Sequence, residues 1–369
     1  MHLRLQAKSA DSFEDREQKF IWKPYIPCGE FTGLIASGGT GKTALSCLIA
    51  ADISQGRRLF NDENHETPTP ANVMMISAED SGEILKQRLK RCDADLSRIY
   101  IMDCTDSIGL DLDAGRDAFI EFAKQFQPKL IVLDPWYCFA GRELDLSKLN
   151  LVRQFNQGIA KIAKSLDCGI LEITHKNKKS QLDDVNNGAI GSVDFINSAR
   201  SAITLIRDDI DKDTRILVHS KSNHSAAGKS LKYCFTKDGA IKWAGVSSIT
   251  ADTLLDAARF KKKPGELLRE QEDEQESLDG LLDFFAEVAV PGKAKLVTYE
   301  DVKNACGNVF AGMQPKRFMD SHAAEFSEYG YSILTGKNIR IGNTSKTGFS
   351  LFLSEEGNAE KPELEYENL

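Results

Sequence analysis

The sequence predicts an α/β fold with a mainly parallel sheet, followed by a smaller C-terminal domain. An apolar strand runs into a glycine-rich turn and an apolar helix over residues 31–53. Further apolar runs of strand length, at 72–77, 129–134 and 168–174, alternate with helical patterns, as is typical of sheets buried on both faces. The chain has 369 residues, which is too long for one average domain.

The glycine-rich turn reads Ala-Ser-Gly-Gly-Thr-Gly-Lys-Thr over residues 36–43. It matches the phosphate-binding pattern G-x-x-x-x-G-K-[ST], except that Ala36 stands at the first glycine position. Such a turn and the following helix N-terminus form a cavity for an anion. Lys42 is expected to reach the β- and γ-phosphates of ATP, and Thr43 to ligate Mg²⁺. The candidate nucleotide-binding residues are Ser37, Gly38, Gly39, Thr40, Gly41, Lys42, Thr43 and Ala44. A glycine turn that only starts a helix is the alternative.

Polar residues follow three of the predicted strands, at the sheet edge where ligands bind in open α/β folds. Glu79, after strand 72–77, is placed to orient or deprotonate the water that attacks the γ-phosphate. The alternative is an acidic helix start, with Asp80 or Ser81 as the N-cap. Asp134 ends strand 129–134 and is predicted to hold Mg²⁺. His175 follows strand 168–174 at the same edge.

Taken together, these motifs resemble the RecA-type ATPases of the subgroup that includes the plasmid replicative helicase RepA and many phage or mobile-element ATPases. The resemblance covers about residues 20–245 and is carried by residues 36–43, 76–80, 131–135, 174–175, 191–200 and 221–223. It implies ATP hydrolysis with Mg²⁺ between the subunits of a homo-oligomer, a hexameric ring or a filament. The implied task is translocation along single-stranded DNA, as a replicative helicase of a mobile element. The rivals are an ATPase of this fold that does not unwind DNA and a nucleotide-binding scaffold.

The resemblance also implies roles for single residues. Glu79 looks like the catalytic glutamate, and His175 like the residue that senses the γ-phosphate and couples it to the DNA-binding loops. Arg200 looks like the finger inserted into the neighbouring subunit's site, where a cation stabilises the transition state. Lys221 occupies the place of the trans-acting lysine of DnaB-type helicases, but Asn223 stands where those enzymes carry an arginine. From the residues alone, His175 also fits an ordinary strand-end histidine, and Arg200 a surface ion pair.

The loop at residues 176–188 is too long to be a mere connection. It resembles the central DNA-binding loop of these ATPases, which makes Lys176, Lys178 and Lys179 candidate DNA-binding residues. The alternative is solvated charge, because Asp183 and Asp184 oppose a purely phosphate-binding role.

The C-terminal part has a composition of its own. Residues 246–280 are predicted as a charged helical linker, 281–353 as a winged-helix-like domain, and 354–369 as an acidic tail. The winged-helix prediction rests on helices at 278–288 and 314–326 followed by strand segments at 331–334, 338–341 and 348–353. Its local net charge is about +3 over residues 291–346, with Lys316 and Arg317 at the start of the candidate recognition helix. DNA binding and the binding of replication or mobile-element proteins both fit.

Composition limits the location and the remaining chemistry. No apolar run reaches 18 residues, and the N-terminal arm, residues 1–20, is polar, so a soluble cytoplasmic protein without a membrane partner is expected. The RecA-like ATPase domain is predicted over 21–245. Trp22 and Tyr25 at its start are interpreted as packing residues rather than base-stacking residues. The eight cysteines form no C-x-x-C pair, so neither disulfides nor zinc are expected.

Overall fold

Two units make up the chain, Met1–Gly265 and Glu266–Leu369. The computed structural model describes residues 9–12, 14–15, 17–103, 109–141, 148–175, 193–237, 239–306, 310, 313–341 and 344–354. The boundary between the units falls inside the segment that the sequence predicts as a linker. The finer domain limits stay predictions.

The first unit contains a large sheet and the helices that cover it. Its strands are β1 (Phe20–Trp22), β2 (Ile26–Pro27), β3 (Phe31–Ala36), β4 (Asn72–Ser77), β5 (Ile99–Asp103), β6 (Pro128–Asp134), β7 (Gly169–His175), β8 (Ser201–Arg207), β9 (Thr214–Ser222), β10 (Ser230–Phe235) and β11 (Ile241–Ser247). Its helices are α1 (Lys42–Gln55), α2 (Gly82–Arg91), α3 (Asp113–Lys124), α4 (Leu149–Leu166), α5 (Val193–Ser198) and α6 (Ala251–Phe260).

Nine of these strands form one sheet in the order β11-β10-β9-β8-β3-β7-β6-β4-β5, while β1 and β2 pair with each other. The six strands from β8 to β5 in that order are parallel to their neighbours, and β9, β10 and β11 join antiparallel. The predicted α/β fold with a mainly parallel sheet is therefore confirmed. Because parallel strands share one carboxyl edge, the ends of β3, β4, β6 and β7 lie side by side.

Burial on both faces explains why the central strands are apolar throughout. Every residue of β3 is buried, with Leu34 facing a cluster that includes α1 and α2 and Ile35 facing one that includes α3, α4 and α5. The strands are thus the middle layer of a three-layer arrangement. Trp22 and Tyr25 are fully buried with ring centroids 4.4 Å apart, as expected of packing residues.

The second unit has its own core. Its elements are α7 (Pro264–Val288), which begins at the unit boundary, β12 (Ala294–Thr298), α8 (Tyr299–Cys306), α9 (Pro315–Ser321), α10 (Ala323–Glu328), β13 (Tyr331–Ile341) and β14 (Thr344–Leu353). The strands form an antiparallel sheet in the order β12-β14-β13. Phe285, Phe318, Phe326 and Phe349 fill the space between this sheet and the helices. The assignment of this unit as a winged-helix-like domain stays a prediction.

Three details of this unit differ from the expectations. The helix expected at 278–288 is the end of the longer α7, because its charged first turns are also good helix formers. The helix expected at 314–326 is two helices, α9 and α10, that meet at His322. The His322 ring stacks on Phe318 at 4.2 Å, and its Nε2 lies 3.2 Å from Glu274 Oε1 of α7. Strand β12 has no counterpart in the sequence prediction.

Candidate functional site

The phosphate-binding loop joins the end of β3 to the start of α1. Gly39 and Gly41 have positive φ angles of 69° and 107°, which explains glycine at these two positions. Gly38 does not need this freedom, although the sequence allows it there. Ala36, at the first glycine position of the motif, is the last residue of β3 and is buried, so alanine fits without backbone strain.

Lys42, the first residue of α1, is buried at the carboxyl edge of the parallel sheet. Its Nζ lies 3.3 Å from the carbonyl oxygen of Ser37 and 3.1 Å from Nδ1 of His175. Burial lowers the pKa of Lys42, while the negative charges of Asp134 and Glu79 act to raise it. The ammonium group therefore lies among acceptors that a phosphate group can replace.

His175 connects Lys42 to Glu79. Its Nε2 lies 2.9 Å from Glu79 Oε1. Because an ammonium group only donates hydrogen bonds, Nδ1 accepts from Lys42, and Nε2 therefore carries the proton that it donates to Glu79. The ends of α1, β7 and β4 are thus joined by one chain of polar contacts.

Glu79 does not cap the helix that follows it. Ser81 is the N-cap residue of α2, and Asp80 pairs with Arg88 of that helix, with 2.5 Å between Oδ2 and Nη1. The backbone N–H groups of Glu79 and Asp80 both donate to Ser77 Oγ at the end of β4. This leaves the Glu79 carboxylate directed to His175, with about half of its side chain exposed.

Thr43 and Asp134 meet beside Lys42. The Thr43 hydroxyl donates to Asp134 Oδ2 at 2.8 Å. The other carboxylate oxygen, Oδ1, is buried with no hydrogen-bond partner in the described part of the chain. Burial raises the pKa of Asp134, and the hydrogen bond from Thr43 opposes this effect. A buried acceptor without a partner beside a threonine hydroxyl is an arrangement that a cation would complete.

The donor set fits Mg²⁺ held mainly by phosphate oxygens and water. Among the described residues, no group of three or more His, Cys, Asp or Glu side chains is placed to hold a metal ion. Mg²⁺ in phosphate sites usually takes only one or two protein ligands, and an all-protein cage is not needed. Thr43 and Asp134 therefore provide the number and type of protein ligands that Mg²⁺ needs at a phosphate site.

Arg200 and Lys221 lie near each other, apart from this chain of contacts. Lys221 Nζ donates to the carbonyl oxygens of Ile196 and Asn197, each at 2.9 Å, at the C-terminal end of α5. Burial, and to a lesser degree the charge of Arg200, lower the pKa of Lys221. Arg200 is exposed. Within the described residues, no hydrogen bond or ion pair joins either side chain to Lys42 or Glu79.

The candidate DNA-binding residues fall into two groups. Lys176, Lys178 and Lys179 lie outside the described residues. Lys316 and Arg317 are exposed in the first turn of α9, directly after Pro315.

Three residues that the sequence analysis missed contact the phosphate-binding loop. Arg207, Arg215 and Tyr233 lie on β8, β9 and β10, and each donates a hydrogen bond to a loop carbonyl oxygen. They belong to no motif, and they lie far from the loop in sequence, so only the sheet order brings them together with it. A cavity of about 360 Å³ opens on the same flank, lined by residues 35–38, Thr40 and residues 204–207.

None of the helices that the structure describes is both long and apolar enough to span a bilayer. Residues 1–181, just under half of the chain, match the protein family described as "AAA domain". The matched range contains the phosphate-binding loop, Glu79, Asp134 and His175. No curated protein matches the chain. A similar solved structure is entitled "The Structure Of A DnaB-Like Replicative Helicase And Its Interactions With Primase", with 16% sequence identity and a TM-score of 0.44. The match covers 58% of this chain and 57% of that chain, which is less than two thirds of its length.

Proposed function

We propose that this protein hydrolyses ATP at the carboxyl edge of the parallel sheet and uses the energy to move along single-stranded DNA. The observation that carries the proposal is the convergence of three contacts, two in the chain Lys42–His175–Glu79 and one between Thr43 and Asp134, at one edge. These groups lie at or shortly after the ends of four different strands, β3, β4, β6 and β7. These side chains are of the types that phosphoryl transfer requires: a cation to bind the phosphates, ligands to hold Mg²⁺ and a carboxylate to orient the attacking water.

Each group has a proposed task. Residues 37–44 hold the phosphates through backbone N–H groups, and Lys42 exchanges its contact with His175 for a γ-phosphate oxygen. Thr43 and Asp134 hold Mg²⁺, which supplies charge neutralisation for the phosphate oxygens when it is bound. Glu79 orients the attacking water and accepts its proton. Its carboxylate is positioned for this task by the hydrogen bond from His175 Nε2.

His175 is proposed to report on the bound phosphate. When Lys42 leaves Nδ1 for a phosphate oxygen, the imidazole loses one of its two partners. The chain then continues directly into the predicted DNA-binding loop with Lys176, Lys178 and Lys179. A change of partner at His175 therefore lies one residue from the segment that would respond to it.

The assembly is proposed to be a homo-oligomer, most simply a hexamer, in which Arg200 and Lys221 serve a neighbouring subunit. Arg200 directly precedes β8, whose Ser201 pairs with Thr32 near the start of β3, whereas Lys42 follows the end of β3; this position and the exposure of Arg200 support action in trans. Lys316 and Arg317 are proposed to bind DNA or a replication protein through the C-terminal unit. Replication of a mobile element and a cytoplasmic location complete the proposal.

The test is steady-state ATP hydrolysis with and without single-stranded DNA, at low and moderate salt, on protein whose mass in solution is known. We expect a hexamer-sized mass, hydrolysis that DNA stimulates, and separation of a forked duplex. Stimulation without strand separation would instead support a loader, recombination mediator or switch of the same fold. Nucleotide binding without hydrolysis under any of these conditions would identify a scaffold and refute the enzyme.

A further inference from the structure

Three consecutive carbonyl oxygens of the phosphate-binding loop each accept a hydrogen bond from a different strand of the sheet. Arg207 Nη2 donates to Gly39 O at 2.8 Å, and Arg215 Nε donates to Thr40 O at 2.7 Å. Tyr233 Oη donates to Gly41 O at 2.8 Å. The donors lie on β8, β9 and β10, which are successive in the sheet.

These bonds control the direction of the loop's N–H groups. In a trans peptide, the carbonyl of one residue and the N–H of the next point in opposite directions. When Thr40 O and Gly41 O turn outward to Arg215 and Tyr233, the N–H groups of Gly41 and Lys42 turn to the other side. That side is the anion cavity of the loop, where N–H groups at a helix start bind phosphate.

The fit of Tyr233 against the loop is close. A Cβ atom added to Gly41 would lie 2.7 Å from the Tyr233 hydroxyl oxygen, which is too short for a real contact. Tyr233 is itself fully buried, and burial raises the pKa of its hydroxyl, so it remains a donor. The loop and this hydroxyl are therefore packed against each other, and no water separates them at 2.8 Å.

The two arginines also bring positive charge to the loop. Arg215 is buried, lies over the Phe235 ring at 5.0 Å, and donates through Nη1 to the carbonyl oxygens of Lys212 and Thr214. These contacts fix its guanidinium group behind Thr40. Arg207 is exposed beside Gly39. Fixed cations close to an anion site raise its affinity for anions, most strongly where solvent is excluded.

We propose that Arg207, Arg215 and Tyr233 are positioning residues that set the phosphate-binding loop for the di- and triphosphate groups of a nucleotide. This inference rests on the proposed nucleotide binding and adds residues outside the recognised motifs to it. They act through the loop backbone and not by contact with the reacting atoms. Strands β8, β9 and β10 thereby contribute to the site by holding the phosphate-binding loop in place.

The test uses two matched substitutions, Tyr233→Phe and Tyr25→Phe. Both remove one hydroxyl from a fully buried tyrosine that donates to a backbone carbonyl, in Tyr25 that of Lys229 at 2.7 Å; the Tyr25 hydroxyl also accepts from Asn61 Nδ2 at 3.3 Å. Only Tyr233 touches the loop. The dissociation constant of fluorescent ADP is measured with Mg²⁺, together with the thermal unfolding midpoint and the kinetics of ATP hydrolysis.

We expect Tyr233→Phe to weaken ADP binding by about three- to tenfold, which is the net effect of one lost hydrogen bond. Its KM for ATP should rise by a similar factor while kcat is largely kept, because ground state and transition state lose the same contact. Tyr25→Phe should lower the unfolding midpoint by a similar amount and leave ADP binding unchanged. Equal ADP affinity in wild type and Tyr233→Phe would overturn the inference, as would equal loss in both variants.

A second pair avoids the risk of misfolding because its residues are exposed. Arg207→Gln removes the donor to Gly39, and Arg58→Gln removes an exposed guanidinium that donates to Asn64 O and Glu66 O in a distant loop. We expect weaker ADP binding only in Arg207→Gln. Unchanged affinity in Arg207→Gln refutes its part of the inference. Failure of the wild-type protein to bind ADP would refute nucleotide binding itself, which is a separate result.

Discussion

The stability of the large sheet should depend on pH through two buried groups of opposite kind, Glu172 on β7 and His219 on β9. Glu172 is fully buried, and neither carboxylate oxygen has a hydrogen-bond partner among the described residues. Burial raises its pKa well above the ordinary 4.5. His219 is also buried, and burial lowers its pKa from 6.5 to about 4. Its Nδ1 accepts from the Gly228 N–H, and its Nε2 bonds to Ser201 Oγ.

The two groups give slopes of opposite sign. As pH falls from 6.5 to about 4, unfolded chains protonate His219 and folded chains do not, so stability is lost. At about 1.4 kcal/mol for each pKa unit, the loss reaches about 3 kcal/mol. As pH rises above 4.5, unfolded chains ionise Glu172 and folded chains keep it neutral, so stability is lost in the other direction. Between these values, the two contributions oppose each other in the wild-type protein.

Single substitutions should show how each group changes the free energy of unfolding with pH. We expect the stability of Glu172→Gln relative to wild type to increase as pH rises from 4.5 to 6.5, because only the wild-type protein must keep a buried carboxyl group neutral. For His219→Asn, relative stability should decrease by about 3 kcal/mol over the same range. Urea unfolding followed by tryptophan fluorescence measures both, because Trp22, Trp136 and Trp243 all lie in the first unit.

The comparison with wild type removes the contributions of all other titrating groups. A difference between Glu172→Gln and wild type that does not change with pH would refute the reasoning. It would mean that the carboxyl group ionises in the folded chain as easily as in the unfolded one.

Three further predictions concern the site. Removal of Mg²⁺ by EDTA should abolish ATP turnover, and Thr43→Val should raise the Mg²⁺ concentration needed for half-maximal turnover; turnover in EDTA would contradict the assigned metal role. His175→Ala should reduce DNA-stimulated turnover by on the order of ten- to 100-fold, because Glu79 loses its orienting partner, and an unchanged rate would exclude this role. Inactive Arg200→Ala subunits mixed with inactive Lys42→Ala subunits should regain some hydrolysis, and no recovery in proven mixed assemblies would exclude action in trans.

The sequence predicted the site's main groups because their positions are fixed by local rules. Lys42 and Thr43 follow a glycine turn, and Glu79, Asp134 and His175 follow apolar strands. Parallel strands bring their carboxyl ends to one edge, so strand assignment alone places these side chains together. The structure adds the pairings: which atom of His175 meets Lys42, and that Thr43 donates to Asp134.

Contacts between distant segments were beyond the sequence analysis. In the sequence, Arg215 and Tyr233 are ordinary residues of predicted strands and belong to no motif. Only the strand order β10-β9-β8-β3 brings them to the phosphate-binding loop. Glu172 lies in the middle of an apolar strand, where its lack of a partner depends on what packs above it. His322, where α9 ends and α10 begins, likewise contacts a distant segment, at Glu274 of α7.

The most direct test of the central claim compares phosphate release from ATP by wild type and by Glu79→Gln. Glu83→Gln, on α2, is the control. If ATP is hydrolysed at the carboxyl edge of the parallel sheet, Glu79→Gln should bind ATP as tightly as wild type. It should release phosphate at least about 100-fold more slowly, as expected for the loss of a general base. Glu83→Gln should behave as wild type, since its carboxylate bonds to Ser81 on the protein surface. Equal phosphate release by Glu79→Gln and wild type would contradict the assignment of Glu79 and, with it, the proposed site of hydrolysis.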